Sequence, residues 1–418
     1  MIRCYSNTAA CYSATCCSLQ LGSLAACPVL VLPHARRAAA RCIMASAKHI
    51  DSEAQLAGAA TATASTATAT PPLTDASELI DFICASPLLP SCGLTRSQVE
   101  EKVGQWADLG DQVITNLGMP PRQQLEPKDK RRIFQYYLPV FFWCQRQLQQ
   151  HRAAAATESS TAPPPLVLGI SAPQGCGKTT LCEQLEALFV YRGAAAAAIS
   201  VDDFYHTRAG QQAVSAAHPG NPLLQMRGNA GSHDMQLGTD TLRALKGATA
   251  PGSSVPIPRY DKSAHSGMGD RADPSSWPRV EGPLQVVLFE GWMLGFAPVG
   301  DSEAAAVDPA LLPVNTFLRG YQAAWDSFVD AWLVVRVAQP DYAYRWRLQA
   351  EQAMRASGRP AMSDEQVAAF VDRFMPAYRC YLPGLYTRGP TTAAPGRLLV
   401  VEVDEGREPL AVQPPPLM

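Results

Sequence analysis

The sequence predicts an α/β fold in which a mostly parallel sheet is flanked by helices, with a helical extension on its N-terminal side. Three observations support this. Leu166–Ile170 is an uninterrupted apolar run, the pattern of a strand buried on both faces, and it passes through a glycine-bearing loop directly into a helical pattern. Further apolar runs recur at Ala194–Ser200, Leu284–Glu290, Asp330–Ala338 and Leu398–Val403, with helical patterns among them. Two of these runs deliver carboxylates, Asp202 and Asp203 just after the first and Glu290 at the end of the second. Strand, loop, helix and acid-tipped strands together describe a P-loop NTPase.

The loop is Ser171-Ala172-Pro173-Gln174-Gly175-Cys176-Gly177-Lys178-Thr179-Thr180. Residues 172–179 match the Walker A pattern with Ala172 in place of the usual first glycine, and Gly175 and Gly177, nearest the phosphates, are present. In such a loop backbone N–H groups converge on the phosphates of ATP and the helix N-terminus adds favourable partial charge. Lys178 then reaches the β- and γ-phosphates and Thr179 holds Mg²⁺. The plainer alternative is a glycine-rich turn opening a structural helix, and the flanking strand and helix weigh against it. Cys176 carries a separate expectation: beside Lys178 at a helix N-terminus its thiol pKa would be lowered and the thiol open to oxidation, unless it is simply a small residue that fits.

A chain of 418 residues, 47% apolar, is long enough for one large α/β domain plus extra segments. The formal net charge of -2 at pH 7 points to neither nucleic acid nor an anionic membrane as partner. No apolar run approaches the ~20 residues that cross a bilayer. Residues 1–45 read as an organelle transit peptide, because Met1 to Ile50 lacks Asp and Glu, carries Arg3, Arg36, Arg37, Arg41 and Lys48, and is rich in Ser, Ala and Cys. Residues 46–74, dominated by an Ala/Thr repeat, read as a disordered spacer.

Residues 75–151 form the helical extension, with patterns over Ala76–Cys84, Arg96–Leu117 and Lys128–Gln150. In the last, Ile133, Phe134, Tyr137, Phe141, Phe142 and Leu148 share or border one face, read as a packing surface, and Pro139 is expected to kink the helix. A linker at 152–165, the nucleotide-binding domain at 166–405 and a tail at 406–418 complete the organisation. Cys84, Cys92, Cys144, Cys176, Cys182 and Cys380 show neither zinc-site spacing nor a disulfide framework.

The acids suit phosphoryl transfer. Asp202 or Asp203 would act as general base on a substrate hydroxyl or help hold the metal, the alternative being a helix cap. Glu290 is the Walker B acid, contacting Mg²⁺ directly or through water. The long polar stretch between these strands carries Arg227–Asp234 (RGNAGSHD), Pro258–His265 (PRYDKSAH) and Gly269-Asp270-Arg271. Arg227, His233, Tyr260, Lys262 and Arg271 supply the donors a small anionic substrate requires, exposed loop charges being the plainer reading. Asp234 is expected to cap a helix over Met235–Lys246. Tyr342–Ser357 reads as a basic helix whose Arg345 and Arg347 suit a lid over ATP, and Ser363–Leu385 as one further helix.

SAPQGCGKTT, ISVDDFY, RGNAGSHD, PRYDKSA, GDRAD, LFEGWMLGF and YRWRLQAE, spread between Ser171 and Val403, resemble the plant-type D-glycerate 3-kinases, which group with phosphoribulokinase, uridine kinase and pantothenate kinase. The resemblance implies phosphorylation of D-glycerate to 3-phospho-D-glycerate with ATP and Mg²⁺, the closing step of photorespiration, in the chloroplast stroma. It also selects Asp202 over Asp203 as base within Ser200–Tyr205, and favours Tyr260 and Lys262 as substrate contacts. A monomer without nucleic-acid or membrane partners is expected. A kinase for another small alcohol, such as a sugar phosphate or pantothenate, and a non-catalytic ATP-binding regulator are the other readings; Asp202 and Glu290 argue against the last.

Overall fold

The computed structural model describes residues 75–158, 162–359 and 361–411, so the transit-peptide and spacer readings lie outside the described residues. In chain order the strands are β1 (Leu166–Ser171), β2 (Ala196–Ser200), β3 (Ser254–Pro256), β4 (Tyr260–Asp261), β5 (Asp270–Arg271), β6 (Arg279–Glu281), β7 (Val286–Gly291), β8 (Ala331–Val337), β9 (Leu398–Val403) and β10 (Pro409–Leu410). The central sheet has the order β10-β9-β8-β1-β7-β2 and is parallel except for β10, antiparallel to β9. The long polar stretch has structure of its own, since β3 pairs with β6 and β4 with β5.

The extension contains α1 (Ala76–Cys84), α2 (Arg96–Glu101), α3 (Val103–Leu117), α4 (Pro127–Arg131) and α5 (Leu138–Glu158). After it come α6 (Lys178–Tyr191), α7 (Arg208–Ala217), α8 (Met235–Lys246), α9 (Asp301–Val307), α10 (Leu311–Leu318), α11 (Tyr321–Ala324), α12 (Tyr342–Ala356), α13 (Asp364–Asp372) and α14 (Met375–Arg388).

Several boundaries differ from expectation for local reasons. The helix expected over Arg96–Leu117 breaks at Lys102, whose φ of -117° and ψ of 17° are not helical. Between α4 and α5 the backbone widens into a π turn over Arg132–Tyr137, just before Pro139. Proline lacks an N–H and collides with the carbonyl four residues back, and the wider turn relieves both. Helix α5 continues to Glu158, into the expected linker, through the strong helix formers Ala153–Ala156. The single helix expected over Ser363–Leu385 is two, because Pro376 in the first turn of α14 favours starting a helix over continuing one.

Alternate residues of the sheet feed two cores, as a period of two requires. Leu166, Leu168 and Ile170 of β1, Val286 and Leu288 of β7 and Leu333 of β8 face one side, together with Leu181, Leu185 and Phe189 of α6 and the extension's Trp106, Phe134 and Phe141. Val167, Val287, Phe289 and Val334 face the other, against Leu242 and Leu245 of α8 and Leu382 and Leu385 of α14. The aromatic stripe of the extension is therefore packing surface: Phe141 meets Phe189 edge to face at 5.1 Å, and Asn116 donates to Gln184 at 3.2 Å. The helix carrying the phosphate loop rests on the extension.

Candidate active site

The loop after β1 adopts a shape that only part of the Walker pattern explains. Gly175 and Gly177 have φ of 82° and 90°, in the left-handed region that disfavours side chains. Gly177 precedes α6 without any side-chain cap, leaving the first N–H groups of that helix for an anion. Residues far away in sequence brace the turn. The Tyr378 hydroxyl accepts from the Gln174 N–H at 2.9 Å, Arg407 Nε donates to the Gly175 carbonyl at 2.7 Å, and a Cβ on Gly175 would come within 2.6 Å of Trp346 Cβ. The Arg407 guanidinium lies 5.1 Å from the centroid of the Trp346 ring.

Cys176 is buried and corrects the expectation of a reactive thiol. Burial pushes its pKa up to about 11, outweighing the Lys178 charge, the Lys178 N–H and Arg407, which pull it down. It is a small residue that fits the loop.

Parallel pairing of β1, β7 and β2 brings the acids to the phosphate loop, because strand ends in register share one edge of the sheet. Glu290 is in register with Ile170 on one side and Ser200 on the other. Its Oε2 lies 3.5 Å from Lys178 Nζ, and both side chains are largely buried. Burial disfavours the Lys178 charge, but Glu290 and Asp202 more than compensate and raise its pKa above the ordinary value.

The two aspartates after β2 separate by role. Asp203 accepts from the Ser200 N–H at 3.2 Å, closing a capping box, and pairs with Arg259 at 3.1 Å. Burial pushes its carboxyl up to about 6 despite those partners. Asp202 turns to the cleft: burial would raise its pKa, yet Lys262, Lys178 and the Tyr205 hydroxyl hold the carboxyl well below the usual range. Lys262 Nζ is 2.6 Å from Asp202 Oδ2.

The donors expected on the acceptor side divide in the same way. Tyr260 and Arg271 stand opposite each other in the β4–β5 ladder, which carries Lys262 on its connecting loop. Arg227 lies 5.3 Å from the centroid of the Tyr260 ring and donates to the Gly267 carbonyl at 3.0 Å. His233 is 2% exposed, stacked on Tyr205 at 4.6 Å, with Nδ1 2.8 Å from the Tyr321 hydroxyl. Burial lowers its pKa to about 3, so the ring is neutral, and its Nε2 is buried without a hydrogen-bond partner among the described residues. Arg271 donates to the Tyr205 carbonyl at 3.1 Å and to Asp234 at 2.9 Å, while its Nε is buried without a hydrogen-bond partner among the described residues. Asp234 also caps α8 through the Leu237 N–H. On α12, Arg345 pairs with Glu405 at 2.9 Å, and Arg347 pairs with Glu351 and lies 4.8 Å from the Phe370 ring centroid.

Oxygen chemistry at the loop suits Mg²⁺. Glu290 Oε2 and Ser171 Oγ are buried without a hydrogen-bond partner among the described residues. No cage of three or more His, Cys, Asp or Glu side chains is found among the described residues, and Mg²⁺ needs none when phosphates and water complete its shell.

Sequence reasoning missed Tyr205 as a partner of Asp202, and Arg259, Trp346, Tyr378 and Arg407 altogether. Tyr205, Arg259 and Trp346 are signalled by their places within the ISVDDFY, PRYDKSA and YRWRLQAE motifs; Tyr378 and Arg407 lie in segments whose local pattern announces only a helix or a loop.

No family model matches the chain. It is 48% identical over 338 residues to "D-glycerate 3-kinase, chloroplastic" of Arabidopsis thaliana, covering 81% of this chain and 74% of that protein. It is 37% identical over 259 residues to "Uncharacterized kinase mug58" of Schizosaccharomyces pombe, covering 59% of this chain and 91% of that one. Among solved structures, D-glycerate 3-kinase from Cryptococcus neoformans superposes with a TM-score of 0.60 at 34% identity, covering 66% of this chain and 97% of that chain. Its acid-tipped parallel strands and phosphate loop, and its likeness to these proteins over most of their length, make this chain a member of the D-glycerate 3-kinase family.

Proposed function

We propose that the protein transfers the γ-phosphoryl group of ATP to D-glycerate, giving 3-phospho-D-glycerate. The observation that carries this reading is the convergence of Lys178 at the start of α6, Glu290 at the end of β7 and Asp202 just after β2. A regulator that only binds ATP has no need of a carboxylate held ionised beside the phosphate loop.

The roles follow from the positions. Residues 171–180 cradle the phosphates, and Lys178 offsets charge on the group in transfer. Thr179 and Glu290 would hold Mg²⁺, with Asp202 at its margin; when bound, the ion neutralises phosphate charge. Asp202 orients the acceptor hydroxyl and takes its proton. A carboxylate stabilised by two lysines is a weak base, which suits a loose transition state where the proton leaves late. Tyr205 fixes Asp202, His233 and Arg271 fix Tyr205, and Arg227, Tyr260 and Lys262 face the acceptor. Arg345 and Arg347 belong to a lid that excludes water.

Chloroplast stroma is the proposed compartment and photorespiration the context. The acid-free, Ser- and Ala-rich first fifty residues and the plastid relative support this. The direct test incubates the purified protein with MgATP and D-glycerate and identifies the product by NMR. A phosphate on the 2-hydroxyl, or turnover only with a different alcohol, would refute the assignment.

A further inference from the structure

The acceptor side of the cleft contains an arginine that no motif marks. Arg373 lies in the break between α13 and α14, and the break is fastened to the turn that carries Arg227. Asn229 Nδ2 donates to the Arg373 carbonyl at 3.0 Å, and Gly228 packs so closely on Phe374 that a Cβ there would come within 2.6 Å of its ring. The turn that carries Arg227 and the break that carries Arg373 are thereby packed against each other. Burial lowers the Arg373 pKa, and the charge of Arg227 lowers it further.

Like charges gathered in a half-buried cleft repel and are costly unless an anion joins them. The other cations of this cleft have their anions: Arg259 pairs with Asp203, Lys262 with Asp202, Arg271 with Asp234 and Arg347 with Glu351. Among the described residues, no Asp or Glu forms an ion pair with Arg227 or Arg373. Arg227 donates to the carbonyls of Gly267, Met268 and Lys262, and Arg373 lies 5.1 Å from the centroid of the Phe370 ring. Both arginines act electrostatically on Tyr205, whose hydroxyl is bonded to Asp202. One tyrosine therefore links the uncompensated cations to the catalytic carboxylate.

We propose that Arg227 and Arg373 together receive the carboxylate of the acceptor, so that a short hydroxy acid anchored there presents its hydroxyl to Asp202. The inference rests on the phosphotransfer reading above and adds the source of its specificity. Planar guanidinium forks match a carboxylate, whereas a neutral alcohol leaves two half-buried cations without an anion. Selection then comes as much from rejecting uncharged acceptors as from holding charged ones.

The test compares D-glycerate with its uncharged amide, D-glyceramide, as acceptors for the full-length enzyme by steady-state kinetics. Wild type should strongly favour the acid. Arg373→Gln should raise KM for D-glycerate roughly 10- to 100-fold, leave KM for ATP unchanged and erase the preference for acid over amide. Arg373→Lys should recover part of the loss, since it restores charge but not the fork. Arg227→Gln should behave as Arg373→Gln does, which keeps the question answerable if either variant folds poorly. Retention of the wild-type preference in the folded Gln variants overturns the proposal. If wild type ignores D-glycerate but phosphorylates another acceptor, the substrate assignment fails separately. The arginine pair then stands if that acceptor is a carboxylate lost in the Gln variants, and falls if it is neutral.

Discussion

Lys262 Nζ sits 2.6 Å from Asp202 Oδ2, an ion pair closed across 60 positions of sequence. Lys262 is on an exposed loop and Asp202 in the turn just after β2, so the pair joins an exposed cation to a largely buried acid. Lys262→Met is expected to lower kcat/KM for the acceptor about 10- to 100-fold, the range for a lost hydrogen bond to a charged group, with ATP affinity kept. A coupled ADP assay with both substrates varied reads this directly. Equal losses in both KM values would place Lys262 outside the acceptor site.

Asp202→Asn keeps the shape of the side chain but cannot take a proton. It should bind ATP as wild type does while kcat falls by a factor on the order of 10² or more. Equilibrium nucleotide titration beside single-turnover kinetics separates the two effects. Unchanged turnover would remove the assigned base.

Arg407 falls in the turn between β9 and β10, beyond the domain boundary expected from sequence, yet it holds the Gly175 carbonyl at 2.7 Å. Arg407→Ala should loosen the phosphate loop and raise KM for ATP about 3- to 10-fold, the worth of an ordinary hydrogen bond. KM for the acceptor should stay put. A shift in the acceptor KM alone would show that the brace acts elsewhere.

Asp326 is 3% exposed, and burial pushes its carboxyl up to about 7 although the Gly295 N–H pulls it down. The folded state therefore binds this proton more tightly than the unfolded chain. Its stabilising contribution is complete at low pH and disappears as pH rises through about 7, with a slope of at most about 1.4 kcal/mol per pH unit. Asp326→Asn cannot ionise, so its Tm relative to wild type should rise between pH 5 and pH 8 in parallel thermal melts. A constant difference across that range would mean that Asp326 is not the titrating group.

The phosphate loop was legible because its chemistry is local: backbone amides, one lysine and one hydroxyl must follow one another within a single turn. The strands were legible for a similar reason, since burial on both faces leaves continuous apolar runs such as Leu166–Ile170. Helix boundaries were less so, because Pro139 and Pro376 act through the carbonyl geometry of a preceding turn and the pattern of apolar residues does not register it.

What the sequence by itself determined is the order of parts: a cradle on the first strand, acids on two others, and a basic stretch between them. Which acid turns to the phosphate loop, which histidine is buried and which arginines have no acidic partner among the described residues were decided only by tertiary packing. Asp202 and Asp203 are neighbours of identical chemistry, and they differ because a capping box turns one towards Ser200 and leaves the other towards Lys262 and Lys178. Charge and burial are properties of what surrounds a group in space. For Asp202, His233 and Arg373 the surroundings come from segments up to well over a hundred residues apart, and no local pattern encodes them.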